Sequence, residues 1–431
     1  MAKPDNFKVI IAGGSLTGLT LANALERAGI DFVLLEKRQI APDLGASIGV
    51  LCHNINVYEQ LGVADLISAA TVPILERLNF VNGSYFSDDS RVTKGIDSKT
   101  QRPIRFMERS LLLRTLYNNI QDKSKIHAAV GLESFEESDS GVVVIADNGE
   151  RFHGSILVGA DGVHSTVRQL MSKAAAATDP GRAENLMSPF TAGFRTIFSI
   201  AQNINLDTQK PFMADGVAHF SHHTGVSGLT ATGQKGLIFW FLSVKEDKTT
   251  RTPDCPRYCE KDTEATMEQF GHLKAGSDYT FRDLWNSRIK ATMNPLEEGV
   301  VNGPWNNGGR VVLLGDSSSK VTINLGIGGN THVEGVCHLT NEIAELLQRS
   351  PEPRTEEITQ MLNRFEEKHR PRAEFACMAS NFITRYEARE TWWMRLAMRV
   401  LSWVPADMAA SRIVKYFAAA PLLKYPPTHK V

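Results

Sequence analysis

After Lys8 the chain runs Val9-Ile10-Ile11-Ala12, a short apolar stretch rich in β-branched residues, which predicts a strand buried on both faces. Gly13-Gly14-Ser15-Leu16-Thr17-Gly18 follows at once. The Leu and Ala positions of Leu19–Ala28 then fall on one helical face, and Gly29 ends that helix. A second apolar run, Phe32-Val33-Leu34-Leu35, closes at Glu36. The segment is a βαβ unit of about 30 residues, whose natural home is a parallel sheet. Further buried-strand patterns occur at Val142-Val143-Val144-Ile145, Ile156-Leu157-Val158-Gly159 and Val311-Val312-Leu313-Leu314. Between about 190 and 290 the pattern alternates instead, as in Phe194-Arg195-Thr196-Ile197-Phe198 and Gly236-Leu237-Ile238-Phe239-Trp240-Phe241-Leu242, which predicts a mainly antiparallel sheet. A helix is expected over Thr331–Arg349, and from 353 onward the pattern is helical.

Composition narrows the function classes. The 431 residues carry 47 Lys and Arg against 48 Asp and Glu, a formal charge of −1, with no concentrated basic patch. Nucleic acid is therefore excluded as an expected partner. Five scattered cysteines, Cys52, Cys255, Cys259, Cys337 and Cys377, do not make a disulfide framework, and Cys255/Cys259 lack two further converging ligands for a metal. The start, Met1 to Phe7, has no basic stretch leading into an apolar core, so a cytoplasmic location is expected. No P-loop is present.

The glycine-rich turn carries the chemistry. Gly13, Gly14, Ser15 and Gly18 lie between a strand and a helix, where exposed amides and the helix dipole hold a pyrophosphate. Glu36, eighteen residues beyond Gly18, is placed to accept ribose hydroxyls. A second cradle, Gly315-Asp316 followed by Gly326-Ile327-Gly328-Gly329-Asn330 at a helix start, suits the other half of one long ligand crossing the sheet ends. FAD is such a ligand, and a helix N-terminus near its ring stabilises the negative charge of the reduced flavin.

These motifs, with Gly159-Ala160-Asp161-Gly162-Val163-His164-Ser165-Thr166-Val167-Arg168, resemble the single-component flavin monooxygenases of the p-hydroxybenzoate hydroxylase type over nearly the whole chain. Gly45-Ala46-Ser47-Ile48-Gly49, Glu108-Arg109, Phe239–Leu242, Pro295-Leu296-Glu297-Glu298-Gly299 and Pro405–Ala409 look like the fungal branch that epoxidises prenyl chains in meroterpenoid and indole-diterpene pathways. The resemblance implies FAD at Glu36, Gly49, Arg109, Asp161, Asp316, Gly329 and Asn330, with NADPH as transient reductant. The implied activity is epoxidation or hydroxylation of a small lipophilic secondary metabolite. The implied architecture is α/β: a doubly wound, Rossmann-like FAD-binding domain (1–78, 100–185 and 295–350), a substrate domain (79–99 and 186–294) and a helical C-terminal region (351–431).

The sequence departs from the family pattern near the reactive face. Ser319 and Ile323 stand where the family carries His and Pro, Ile327 stands for Gln or Leu, Gly335-Val336 replaces Asp-Ala after Glu334, and Cys52-His53 replaces Pro-Asn. A runner-up activity follows, a non-oxidative isomerase or cyclase on the same scaffold. Its proton-transfer candidates are His219, among His219, His222 and His223, and Arg195, which would orient an acidic hydroxyl. A non-catalytic carrier is the third reading. Finally, the segment 391–404, with Trp392-Trp393, Arg395, Leu396, Arg399, Val400 and Trp403, is too short and too charged to span a bilayer. It suits either an interfacial helix contacting a membrane peripherally or a helix packed across the domains.

Overall fold

The computed structural model describes residues 7–42, 47–401 and 403–424. Met1–Asn6, the quoted Gly45-Ala46 and the Pro426-Pro427 end lie outside the described residues.

The apolar runs assemble as expected into a parallel sheet of five strands. Its order is Val311–Leu313, Ile156–Gly159, Lys8–Ala12, Asp31–Glu36 and Ile126–Ala128. Val9 pairs with both Ile156 and Phe32, and every neighbour in the sheet runs the same way. Val9, Ile10, Ile11, Leu157 and Val158 are fully buried because both faces of the sheet are covered, one by helices and the other by a three-stranded antiparallel sheet of Leu132–Ser138, Gly141–Ala146 and Arg151–Gly154. The helix Leu16–Arg27 packs on it together with Gly328–Arg349, which starts three residues earlier than the periodicity predicts. That early start decides how the glycines of the second cradle are presented.

The alternating region forms an eight-stranded, mostly antiparallel sheet. Thr191–Gln202, Leu237–Arg251 and Arg288–Val300 are its long central strands. Alternation sends Ile197, Trp240, Leu242 and Val244 to one face, where they pack under the helices Glu260–Phe270 and Phe281–Asn286. Phe198, Phe239 and Phe241 go to the other face, turned toward the first unit.

Two expected domain boundaries fall inside strands. Residue 78 lies within Glu76–Val81, which pairs in parallel with Val217–His223 in the large sheet. Residue 294 lies within Arg288–Val300, which pairs with Thr191–Gln202 before Gly299 and Val300 pair with Lys320 and Ser319. One continuous strand thus passes from substrate sheet to cofactor unit. Among the described residues the C-terminal region is three helices, Thr355–Glu387, Trp392–Leu401 and Ala406–Ala418. The first is 33 residues long; it buries Ile358, Met361 and Phe365 in the cofactor unit's core, and its far end contacts the large sheet.

Candidate active site

Parallel strands end at one edge, so the turns after Ala12, Glu36, Gly159 and Leu314 converge there. They open on a cavity of about 560 Å³ that also reaches the aromatic face of the large sheet. Glu36, Arg38 and Asp147 line one end, Ser15, Arg109 and Asp316 the middle, and Phe106, Phe198, Leu229, Phe241, Val321 and Ile323 the other.

The first cradle is held by close backbone approach. Gly13 has φ of +110°, and a Cβ there would lie 2.4 Å from the carbonyl oxygen of Ala160. A Cβ on Gly18 would lie 1.8 Å from the carbonyl oxygen of Gly13, so the opening helix can turn this tightly only without a side chain. Gly14 donates its N–H to Glu36 Oε2 at 2.6 Å, and Arg38 donates its own to Oε1 at 2.9 Å. Glu36 is thereby fixed at the cavity by two amides. Ser15 sits at the helix N-cap but makes no side-chain capping bond; its Oγ accepts from Arg109 Nη2 instead. The first-turn amides of Leu16–Arg27 thus have no side-chain cap at the cavity.

Arg109 is the half-buried cation at the middle of the cavity. Burial lowers its pKa, and Asp316 and Glu36 act through space in the opposite direction. A guanidinium bonded to a neutral hydroxyl in a glycine-rich cradle is suited to an anionic oxygen pair. Asp316 accepts from Lys320 Nζ at 2.8 Å and lies 3.6 Å from His332 Nε2. Burial, its largest single influence, would raise its pKa, yet Lys320, His332 and Arg109 together hold it below the usual carboxylate value. His332 was not foreseen. It lines the cavity, bonds the carbonyl of Ser319 at 3.0 Å and has a lowered pKa, chiefly from burial.

Among the remaining expected contacts, Gly49, Asp161 and Gly329 line the cavity. Asp161 caps the helix Thr166–Ala175 by accepting from Val167 N at 3.1 Å, while its buried Oδ1 has no hydrogen-bond partner among the described residues. Gly14, Gly18 and Asn330 are not in the cavity wall. Asn330 is a tie: its amide donates to the carbonyls of Gly49 and Gly326 at 2.8 and 2.7 Å, and its oxygen accepts from Leu51 N. It locks the second cradle onto the strand bearing Gly49. Arg168 is likewise structural, donating to the carbonyls of Leu186 and Ser317 at 2.9 and 2.8 Å.

The proton-transfer candidates are not brought to the cavity. Arg195 pairs with Glu246 at 2.9 Å and lies 3.3 Å from Thr266 Oγ1. His219 lies on the helix-covered face of the large sheet, bonded through Nδ1 to Tyr279 Oη at 2.9 Å. Burial lowers its pKa to about 4, so the imidazole is neutral. Strand alternation decides this, because its neighbour Phe220 and the opposite Leu229 take the cavity side. The candidate histidines therefore give the non-oxidative alternative no acid or base at the cavity.

The departures from the family pattern also sort differently in space. Beside them, Ser317 and Ser318, which keep to the pattern, tie the turn: Ser317 Oγ donates toward the carbonyl of Gly159, and Ser318 Oγ donates to that of Gly315 at 3.0 Å. Ser319 and Ile327 are buried outside the cavity wall. His53 lies 3.0 Å from Glu334, which also pairs with Arg372, and Gly335 leaves room for His369, whose Nε2 would lie 2.6 Å from a Cβ. Only Ile323, among these substituted positions, faces the cavity. The expected cluster of changes at the reactive face is thus mostly a repacked scaffold. Ile323 is held from behind by a polar ladder on the long helix. Thr322 Oγ1 lies 2.7 Å from Ser380 Oγ, Thr384 donates to Asn324 Oδ1, and Asn324 donates to Glu387 Oε2 at 2.7 Å.

The residues present fit FAD. The chain supplies a half-buried guanidinium at Arg109, two helix starts without side-chain caps (at Ser15 and Ile327), a fixed carboxylate at Glu36 and a buried unpartnered Asp161 oxygen beside the cavity.

Comparison with known proteins agrees. The FAD binding domain family matches residues 6–256. The chain is 35% identical to the FAD-dependent monooxygenase penM of Penicillium crustosum, over 98% of this chain and 88% of that protein. It is 36% identical to the FAD-dependent monooxygenase ptmM of Penicillium ochrochloron, over 95% and 96% of the two. Among solved structures, Klebsiella pneumoniae HpxO complexed with FAD and uric acid superposes with a TM-score of 0.74 at 17% identity, covering 96% of this chain and 97% of that one. That likeness is one of fold.

Proposed function

We propose, for a chain that belongs to the FAD binding domain family and is an FAD-dependent monooxygenase, that it epoxidises or hydroxylates a lipophilic, prenylated secondary metabolite with NADPH as reductant. The observation that carries the reading is the uncharged wall of Phe106, Phe198, Leu229, Phe241, Val321 and Ile323, continuous with the Arg109 and Asp316 cradle in one cavity. Bound FAD supplies the redox relay between NADPH and dioxygen.

The chain's own groups do the holding. Glu36 would take the ribose hydroxyls, and Arg109 with the first-turn amides of Leu16–Arg27 would take the pyrophosphate. Asp316, aligned by Lys320, would hold polar groups of the ribityl region, and the start of Gly328–Arg349 would place its dipole against the ring. The aromatic wall excludes water and orients an alkene by shape alone, with Phe198 and Phe241 edge to face at 5.6 Å between centroids.

The test is isotopic. Purified yellow protein, a prenylated aromatic substrate, NADPH and ¹⁸O₂ should give a product carrying one labelled oxygen, with NADPH consumed. Conversion that proceeds without NADPH or oxygen, in protein free of flavin, would overturn the reading.

A further inference from the structure

The helix Trp392–Leu401 turns its large apolar residues outward. Trp392, Leu396 and Val400 repeat every four residues and are 74%, 54% and 51% exposed, and Trp403 just beyond is 82% exposed. The helix is nonetheless anchored, because Met394 and Met398 on its other side are buried and Trp393 stacks on Phe382 at 6.2 Å. Phe375, Met378 and Phe382 share one face of the long helix and are also exposed, so the apolar surface extends past the Trp393 contact. A soluble monomer gains nothing by hydrating so many aromatic rings in one place.

The rim of this surface is cationic. Arg395 and Arg399 are exposed on the same helix, and Arg395 donates from Nε to the carbonyl of Arg389 at 3.3 Å. The three guanidinium groups lie close enough that, after burial, Arg395 and Arg399 are the next causes lowering the pKa of Arg389. Among the described residues no helix is long and apolar enough to cross a membrane. Two-fold pairing with a second copy centred on this helix would bring the cationic rims of both copies together, which opposes that occupant. Indole rings beside arginines match the boundary between headgroups and acyl chains.

We propose that this face docks the protein on an anionic phospholipid surface, with Trp392, Leu396, Val400 and Trp403 in the headgroup boundary and Arg395 and Arg399 against lipid phosphates. The docking stands apart from which substrate is oxygenated. Its test is flotation of the full-length protein with phosphatidylcholine vesicles, with and without phosphatidylserine, alongside tryptophan emission. Binding should require phosphatidylserine, weaken with salt and shift emission to the blue. Arg395→Gln and Arg399→Gln should each weaken partitioning about fivefold. A combined Trp392→Ser, Leu396→Ser, Trp403→Ser variant should abolish it while keeping its FAD content, which shows the fold is intact. Absence of flotation at low salt, indifference to phosphatidylserine, or a dimer in solution that the triple variant dissolves would each overturn the proposal.

Discussion

The two ends of the cavity are built by different means. The cofactor end is assembled from turns at the carboxyl ends of parallel strands, where backbone amides, glycine approaches and a few charged side chains do the work. The substrate end is one face of a large sheet, where alternate side chains supply shape and no charge. The first kind of site tolerates little change because each backbone contact is a fit of tenths of an ångström. The second tolerates repacking, since hydrophobic recognition is non-directional and spread over several rings. On the function proposed above, this contrast locates specificity: the cradle would select a common coenzyme, while the aromatic face would select the substrate.

The sharpest way to break the contrast is Arg109→Ala. Removing a half-buried cation that would pair with the coenzyme's anionic oxygens should weaken FAD by roughly 2–5 kcal/mol, read as calorimetric affinity of apoprotein for FAD. Undiminished affinity would remove Arg109 from the cradle. Phe198→Ala combined with Phe241→Ala should leave FAD affinity intact and raise the KM for substrate roughly tenfold or more, with NADPH oxidation uncoupled from product. Loss of flavin in that variant would show that the two ends are not separable.

A smaller effect concerns the ladder behind Ile323. Burial, opposed by Arg77 and Asn324, raises Glu387 from 4.5 to about 7. The folded state therefore binds more protons than the unfolded state between those values, and stability contributed there is lost as pH rises through about 7. Glu387→Gln, which mimics the protonated carboxyl, should flatten the fall in melting temperature between pH 5 and 8 by an amount on the order of a few degrees. An unchanged pH slope would rule out Glu387 as its source. Smallest of all, His219→Asn and Arg195→Gln should leave kcat within about twofold, since a half-buried ion pair and a neutral core imidazole, both outside the cavity wall, do not touch it. A collapse of turnover in folded protein would return them to the mechanism.

Legibility in the sequence followed the range of the contacts. That Gly13, Ser15 and Glu36 meet at one cavity was readable because a strand, turn and helix in immediate succession fix their relation. Asp316 and Gly329 were readable from their turn chemistry. Asn330 sat in the same motif, yet its four partners at Gly49, Leu51, Asn54 and Gly326 make it a fastener of the cradle. The strands carrying Arg195 and His219 were foreseen, but which face met the cavity was not, since a one-residue change of register reverses every side chain. His332 gave no signal beyond its place one turn into a glycine-led helix. The departures at His53 and Gly335 looked reactive in sequence and proved to be packing against Glu334 and His369.

By itself the sequence determined the local chemistry: the parallel strands, the two anion cradles, the coenzyme they suit and the helical end of the chain. Tertiary structure alone decided which aromatic rings close the cavity, which histidine stands beside Asp316, and that a ladder from Ser380 to Glu387 holds Ile323 in the wall. The physical reason is distance along the chain. A turn fixes its own amides within a few residues, whereas the faces of sheets and the partners of buried polar groups are settled only when segments hundreds of residues apart pack together.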